Sequence, residues 1–385
     1  MKSNYDILGN HIRLIDTRNR ESITDRVLGI NIDKFFMPSV ANVIGTDLSK
    51  YKLITKGKFA CNPMHVGRDE RLPVALYDEE EPAIVSPAYF MFEVIDNSIL
   101  NEDYLMMWFR RPEFDRICWL HTDGSVRGGI TWDDICRLEL PIPPIENQLE
   151  IVNSYKAITE RIALKQKIND NLANTEQLIL YQAISKNQTI PLSLNEIAEF
   201  IDGDRGKNYP TFDEFSTSGF CLFLNASNVT SSGFNFDSCM FVTEEKDKIM
   251  RNGHLLLNDI VFTSRGTLGN VALYDKNIKY KNVRINSGML IIRPKGINLS
   301  PYFIYALLKS NYMKSAIEQF RSGSAQPQLP IKDLQNITFD IPESQNVLDD
   351  LEHRFFEIEE TISINKREIG NLSELASILL ARLSR

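Results

Sequence analysis

Between residues 348 and 379, apolar side chains recur at steps of three and four. They are Leu348, Leu351, Phe355, Ile358, Ile362, Ile369, Leu372, Ala376 and Leu379, with Asn365 in a slot of the same series. This is a heptad seam, and a buried Asn on such a seam specifies helix register. A second stretch, residues 146–185, keeps helical spacing at Ile151, Tyr155, Ile158, Ile162, Leu172 and Ile179, with Lys165 and Asn169 interrupting it. Both stretches are almost free of Gly and Pro, and each follows a proline-bearing boundary, at 141–144 and at Pro342. Forty helical residues reach about 60 Å. So narrow a seam calls for a helix partner rather than a sheet. The two stretches are therefore expected to pair antiparallel, as a rod carrying globular units.

Ahead of each helix the pattern is different. Short apolar runs rich in aromatic and β-branched residues, residues 89–94 and 289–292, are punctuated by Gly, Asn and Pro, as strands are. A shorter helix is predicted after each run, Glu102–Phe109 and Pro301–Lys309, the latter with Ser300 as N-cap and Pro301 in its first turn. The two halves also match residue by residue. VALYD at 74–78 returns at 271–275; LGNHIRLID at 8–16 pairs with LNEIAEFID at 194–202; the segment from Thr122 to Pro143 aligns with that from Arg321 to Pro342. Three anchors in one order, at offsets of 197, 186 and 199, indicate a duplication. Two copies are too few for a solenoid, so each must have its own core. The expected fold class is α+β: two globular, strand-rich mixed α/β domains joined by two long helices packed as an antiparallel coiled coil, with a pseudo-twofold internal repeat.

The 385 residues suit two domains, and a composition of 43% apolar and 24% charged residues excludes disorder and low-complexity architecture. No apolar run approaches the roughly 18 residues of a membrane span, and the N-terminal residues lack the apolar core of a signal peptide. Cys61, Cys118, Cys136, Cys221 and Cys239 are odd in number and form no C-x-x-C pair, which suits reduced thiols and a cytoplasmic location. Chemistry is sparse. There is no Walker A loop, no strand-linked G-x-G-x-x-G and no H-E-x-x-H, and CNPM at 61–64 lacks the second proline of an amino-methyltransferase motif. Glu244, Glu245 and Lys246 after Asp237 read as a solvated charged turn rather than a nuclease motif. GDRG at 203–206 reads as a polar turn rather than a KH loop. No catalytic constellation, metal site or cofactor site is expected.

Net charge is −8, which by itself argues mildly against nucleic acid. Its distribution changes that. Residues 1–145 carry −5, 146–190 carry 0, 191–341 carry +1 and 342–385 carry −4. Within 251–295, eight basic residues face only Asp259 and Asp275, an excess that can neutralise backbone phosphates. Gly-bearing polar loops at matching places in both copies add side chains of the types that read phosphates and base edges. In the second copy the candidates are Arg205, Lys207, Asn208, Ser264, Arg265, Lys279, Lys281, Arg284, Arg321, Ser324 and Gln326. In the first they are Arg68, Arg71, Thr122, Ser125 and Arg127. Candidate spacer-packing residues are Ile158, Ile162, Leu172, Ile179, Leu351, Phe355, Ile358, Ile362, Asn365, Ile369 and Leu372.

The arrangement resembles the specificity subunit of type I restriction–modification systems. The carriers are PIPPIENQ at 141–148 leading into the first helix, and GSAQPQLPIKDL at 323–334 leading toward the second. The second copy departs from the pattern at IPESQ, 341–345, which is shorter and lacks the second proline. The resemblance covers essentially the whole chain and implies a target recognition domain at 1–145, a central spacer helix at 146–187, a second recognition domain at 188–342 and a C-terminal spacer helix at 343–385. It further implies a non-catalytic subunit in which each domain reads one half of an asymmetric bipartite target in double-stranded DNA and the helices set the gap. Two methyltransferase subunits would be recruited to flip and methylate adenine, joined in the full complex by restriction/translocase subunits. The chain itself would take no cofactor, because adenosylmethionine and ATP would be bound by those partners. The competing reading is a two-domain protein-binding adaptor with a coiled-coil spacer and no DNA sequence readout.

Overall fold

The computed structural model describes residues 5–41, 43–64, 66–122, 128–296, 299–320 and 329–383. The chain forms two compact units. The first comprises Met1–Leu164 with Ile369–Arg385, and the second comprises Lys165–Glu368. Both long helices therefore contribute to both units.

The first unit contains a four-stranded antiparallel sheet in the order Ile12–Leu14, Phe90–Val94, Lys58–Cys61, Val74–Tyr77. A second sheet has the order Phe36–Pro38, Val27–Ile30, Ala83–Val85, Lys52–Ile54, with Val27–Ile30 and Ala83–Val85 parallel. Helices Glu102–Phe109 and Pro112–Leu120 cover the first sheet; Asn101 caps the former through Tyr104 N, and Pro112 opens the latter. Aromatic residues hold the layers together: Phe59 stacks on Phe92 at 5.0 Å, and Phe109 meets both edge-on. The PIPPIENQ segment has a structural role here. Strand Glu139–Pro141 pairs with Tyr5–Ile7, after which helix Ile145–Lys186 begins. The Gln148 side chain is fully buried; it accepts from Asn101 N and donates to Ile99 O and Pro143 O, joining the long helix to the start of the shorter one.

The second unit repeats the plan. Its four-stranded sheet runs Ala198–Asp202, Met289–Pro294, Ile260–Thr263, Val271–Leu273, and its smaller sheet runs Phe241–Val242, Cys221–Leu224, Val283–Ile285, again with one parallel pair. Helices Pro301–Lys309 and Asn311–Phe320 correspond to the helix pair of the first unit, and strand Thr189–Ser193 pairs with Thr338–Pro342 as Tyr5–Ile7 does with Glu139–Pro141. The short helices Trp132–Cys136 and Ile331–Gln335 lie at the repeat offset of 199.

Within the second unit the long helices, Ile145–Lys186 and Gln345–Arg382, run antiparallel. Lys165 Nζ bonds Asn365 Oδ1 at 2.8 Å and Glu368 at 2.9 Å, Asn365 Nδ2 donates to Asn169 at 2.8 Å, and further along Glu176 and Glu359 share Lys309. Lys165 and Asn169 were expected to interrupt the seam, but they occupy it. Each takes a partner across the helix pair, so a polar layer replaces an apolar one. Leu351, Phe355, Ile362 and Asn365 are buried, while Ile358, Leu172 and Ile179 are half-buried. In the first unit Ile158 and Ile162 are half-buried, as are Ile369 and Leu372, and Ile151, Val152, Tyr155, Leu380 and Leu383 pack on the domain core. No helix among the described residues is long and apolar enough to cross a membrane.

Candidate nucleic-acid interface

In the second unit, several polar loops converge at one end of the four-stranded sheet. Strand Ala198–Asp202 runs into residues 203–208, strand Ile260–Thr263 into 264–270, and strand Val283–Ile285 into the turn 286–288. The loops touch directly. A Cβ on Gly203 would lie 2.2 Å from Asn286 O, so only glycine permits this approach. Ser264 donates to Gly288 O from both its backbone N and its Oγ, each at 3.0 Å. Arg205 bonds Asp202 at 2.9 Å and Ser287 O at 3.3 Å, and Arg251 N donates to Asp204 Oδ2 at 2.8 Å. Asn208 Nδ2 reaches Ile249 O at 3.1 Å.

On this ordered base, Lys207 and Arg265 are exposed and make no side-chain hydrogen bond or ion pair among the described residues; Arg265 precedes Gly266, whose φ of +74° suits a tight turn. Arg205 is exposed and paired only to surface groups, an interaction worth little and readily exchanged for a phosphate. Other expected contacts are placed differently. Ser264 is a buried joint between loops, and Asn208 pins its loop. Arg284 requires correction. It is 6% exposed, its Nε lies 2.5 Å from Asp247 Oδ1, and its two Nη atoms donate to Asp247 O, Met250 O and Asn252 O. Every arm of the guanidinium is used internally, because Arg284 lies on a buried strand and ties down helix Glu244–Ile249. Lys279 and Lys281 follow strand Val271–Leu273 where it leaves beside Ile260, at the end of the sheet away from these loops. Lys281 is exposed, and the Lys279 ammonium lies 5.0 Å from the Tyr280 ring centroid. Arg321, Ser324 and Gln326 lie outside the described residues, as do Ser125 and Arg127 of the first copy. Reasoning by residue missed Arg251, an exposed cation held beside the 203–208 loop through its backbone. It heads the basic stretch 251–295, which was the available signal.

In the first unit, Arg68 pairs with Asp69 through two bonds and Arg71 with Asp33 at 2.8 Å, both exposed. Thr122 donates its Oγ1 to Trp119 O and so closes the end of a helix. Beside Arg71 lies a cavity of about 460 Å³, lined among others by Lys34, Arg110, Asp115 and Trp119. Lys34 is buried, with Nζ 2.7 Å from Asp115. Burial pulls its pKa below the usual lysine value, against the opposing pull of Asp115. Asp115 also accepts from Leu72 N, which fixes the backbone next to Arg71. Among the described residues, no group of three or more His, Cys, Asp or Glu side chains could hold a metal.

Residues 191–369 match the family model of the type I restriction modification DNA specificity domain. The S subunit of a type I restriction–modification system from M. genitalium has the same fold, at a TM-score of 0.61 and 18% identity, covering 98% of this chain and 95% of that one. The HsdS subunit of Thermoanaerobacter tengcongensis matches at a TM-score of 0.37 and 14% identity, covering 98% and 95%. No curated protein matches the chain.

Proposed function

We propose, from the match of residues 191–369 to the type I restriction modification DNA specificity domain, that the chain is the non-catalytic subunit that chooses the DNA target. Each recognition domain, 1–145 and 188–342, reads one half of a bipartite sequence, and the helices, 146–187 and 343–385, set the gap between halves. The observation that carries this reading is internal. The same sheet-and-helix plan occurs twice, and in the second copy three glycine-bearing loops meet at one sheet end, where the side chains of Lys207, Arg265 and Arg251 take no partner among the described residues. Unpaired cations on a fixed base suit phosphate contact, and loops of this composition suit base contact. The loops of the two copies differ, so the target is asymmetric. Two weak half-site contacts held at fixed spacing combine into one specific one through effective concentration.

In this reading the subunit recruits two methyltransferase subunits, which bind adenosylmethionine and methylate an adenine in each half-site, and restriction/translocase subunits complete the assembly. The test is sequence-specific DNA retention by the purified chain with and without a methyltransferase partner. Retention that requires the partner is the expected result. Absence of retention in both cases leaves the protein-binding adaptor, and turnover by the chain alone would make it an enzyme.

A further inference from the structure

The duplication makes it possible to locate a contact in the first unit from its counterpart in the second. In both copies the first strand of the four-stranded sheet leads to Ile-Asp, at Ile15-Asp16 and Ile201-Asp202. Each Asp then holds an arginine that follows it closely. Asp16 bonds Arg18 at 2.6 Å, and Asp202 bonds Arg205 at 2.9 Å. Each of these arginines also donates to a backbone carbonyl, Arg18 to Lys50 O at 2.7 Å and Arg205 to Ser287 O at 3.3 Å. Both are thereby folded back onto their own domain. Two residues beyond each stands a second cation, Arg20 in the first copy and Lys207 in the second. Both are exposed, and neither makes a side-chain hydrogen bond or ion pair among the described residues.

An asparagine next to each cation fixes its loop. Asn208 donates to Ile249 O at 3.1 Å. Asn19 is 1% exposed; its Nδ2 donates to Thr24 O at 2.8 Å, its Oδ1 accepts from Ile23 N at 2.9 Å, and its backbone N donates to Tyr51 O at 3.0 Å. Such side-chain-to-backbone bonds build an ordered turn. A long cation on a fixed backbone loses less freedom on binding than one on a mobile loop. The neighbouring acids Glu21 and Asp25 form no ion pair with Arg20.

We propose that Arg20 is a DNA-phosphate contact of the first unit, in the place that Lys207 holds in the second. This rests on the DNA reading above and adds a residue to it. The experiment uses the full chain assembled with its methyltransferase partner and measures affinity for target DNA across a salt series. Arg20→Gln is expected to reduce the slope of log affinity against log salt by about one, with several-fold weaker binding at low salt and unchanged half-site preferences. Arg20→Lys keeps the slope, and Lys207→Gln reproduces the loss. Arg110→Gln removes a different exposed cation of the same unit and leaves the slope as it was. An unchanged slope in Arg20→Gln, or an equal fall in Arg110→Gln, overturns the assignment while the DNA reading stands. Relaxed preference at one base pair makes Arg20 a base contact and overturns the phosphate role. Absence of retention by the unsubstituted complex overturns the DNA reading, and this proposal with it.

Discussion

Glu176 is buried on the seam of the first long helix. Its Oε2 lies 2.8 Å from Lys309 Nζ, which also binds Glu359 at 2.5 Å, while its Oε1 has no hydrogen-bond partner among the described residues. Burial and the nearby Glu359 raise its pKa to about 7, against the pull of Lys309. Burial opposes the charge of Lys309, but Tyr305, Glu176 and Glu359 beside it push its pKa above the ordinary lysine value. The folded state thus binds the Glu176 proton more tightly than the unfolded chain does. Its stabilising effect is complete below about pH 4.5 and is lost as pH rises through about 7. Glu176→Gln should therefore flatten the decline of the thermal midpoint between pH 5 and 7.5; a decline as steep as in the unsubstituted protein would refute this. Arg284 sets a second expectation at this scale. Arg284→Met leaves Asp247 buried without its cation and should cost about 3–5 kcal/mol in denaturant unfolding. A residue free to bind DNA would cost almost nothing.

Among the elements, the joint between strand and long helix differs between the copies. In the first, Gln148 satisfies one donor and two acceptors of the backbone; in the shorter entry of the second copy Gln345 donates instead to Asp349 of its own helix. Gln148→Ala leaves those groups unpaired, and the expected loss is about 3 kcal/mol, read as a lower urea midpoint. Gln345→Ala, which breaks only that exposed bond, should cost clearly less. The polar layer of Lys165, Asn169, Asn365 and Glu368 belongs to the same scale, since its bonds exist in only one alignment of the antiparallel pair. Asn365 was readable from the heptad pattern alone. The roles of Lys165 and Asn169 were not, because a polar residue on an apolar stripe reads as an interruption until its partner on the other helix is known.

For the whole molecule, the proposed gap-setting role of the long helices can be tested by length. The helices pair residue 165 with 368, so deleting 158–164 and 369–375 together removes one heptad from each and keeps the seam in phase. About 10 Å of each helix is lost. The gap in the methylated target should then shorten by about three base pairs, at the 3.4 Å spacing of DNA. Methylation with an unchanged gap would refute the spacer role.

The sequence by itself determined the duplication, the strand-rich character of each copy, the bounds of helices Glu102–Phe109 and Pro301–Lys309, and the two long helices. Each of these follows from periodicity, capping residues or self-similarity, which are properties of neighbours along the chain. Only the tertiary structure decided which cations are available. Arg284, Arg265 and Lys207 are all long cations, yet the first spends its donors on carbonyls and a carboxylate 32 to 37 residues away, while the others meet no acceptor among the described residues. Hydrogen-bond partners distant in sequence are set by how strands pair and helices dock, and a linear pattern does not encode them.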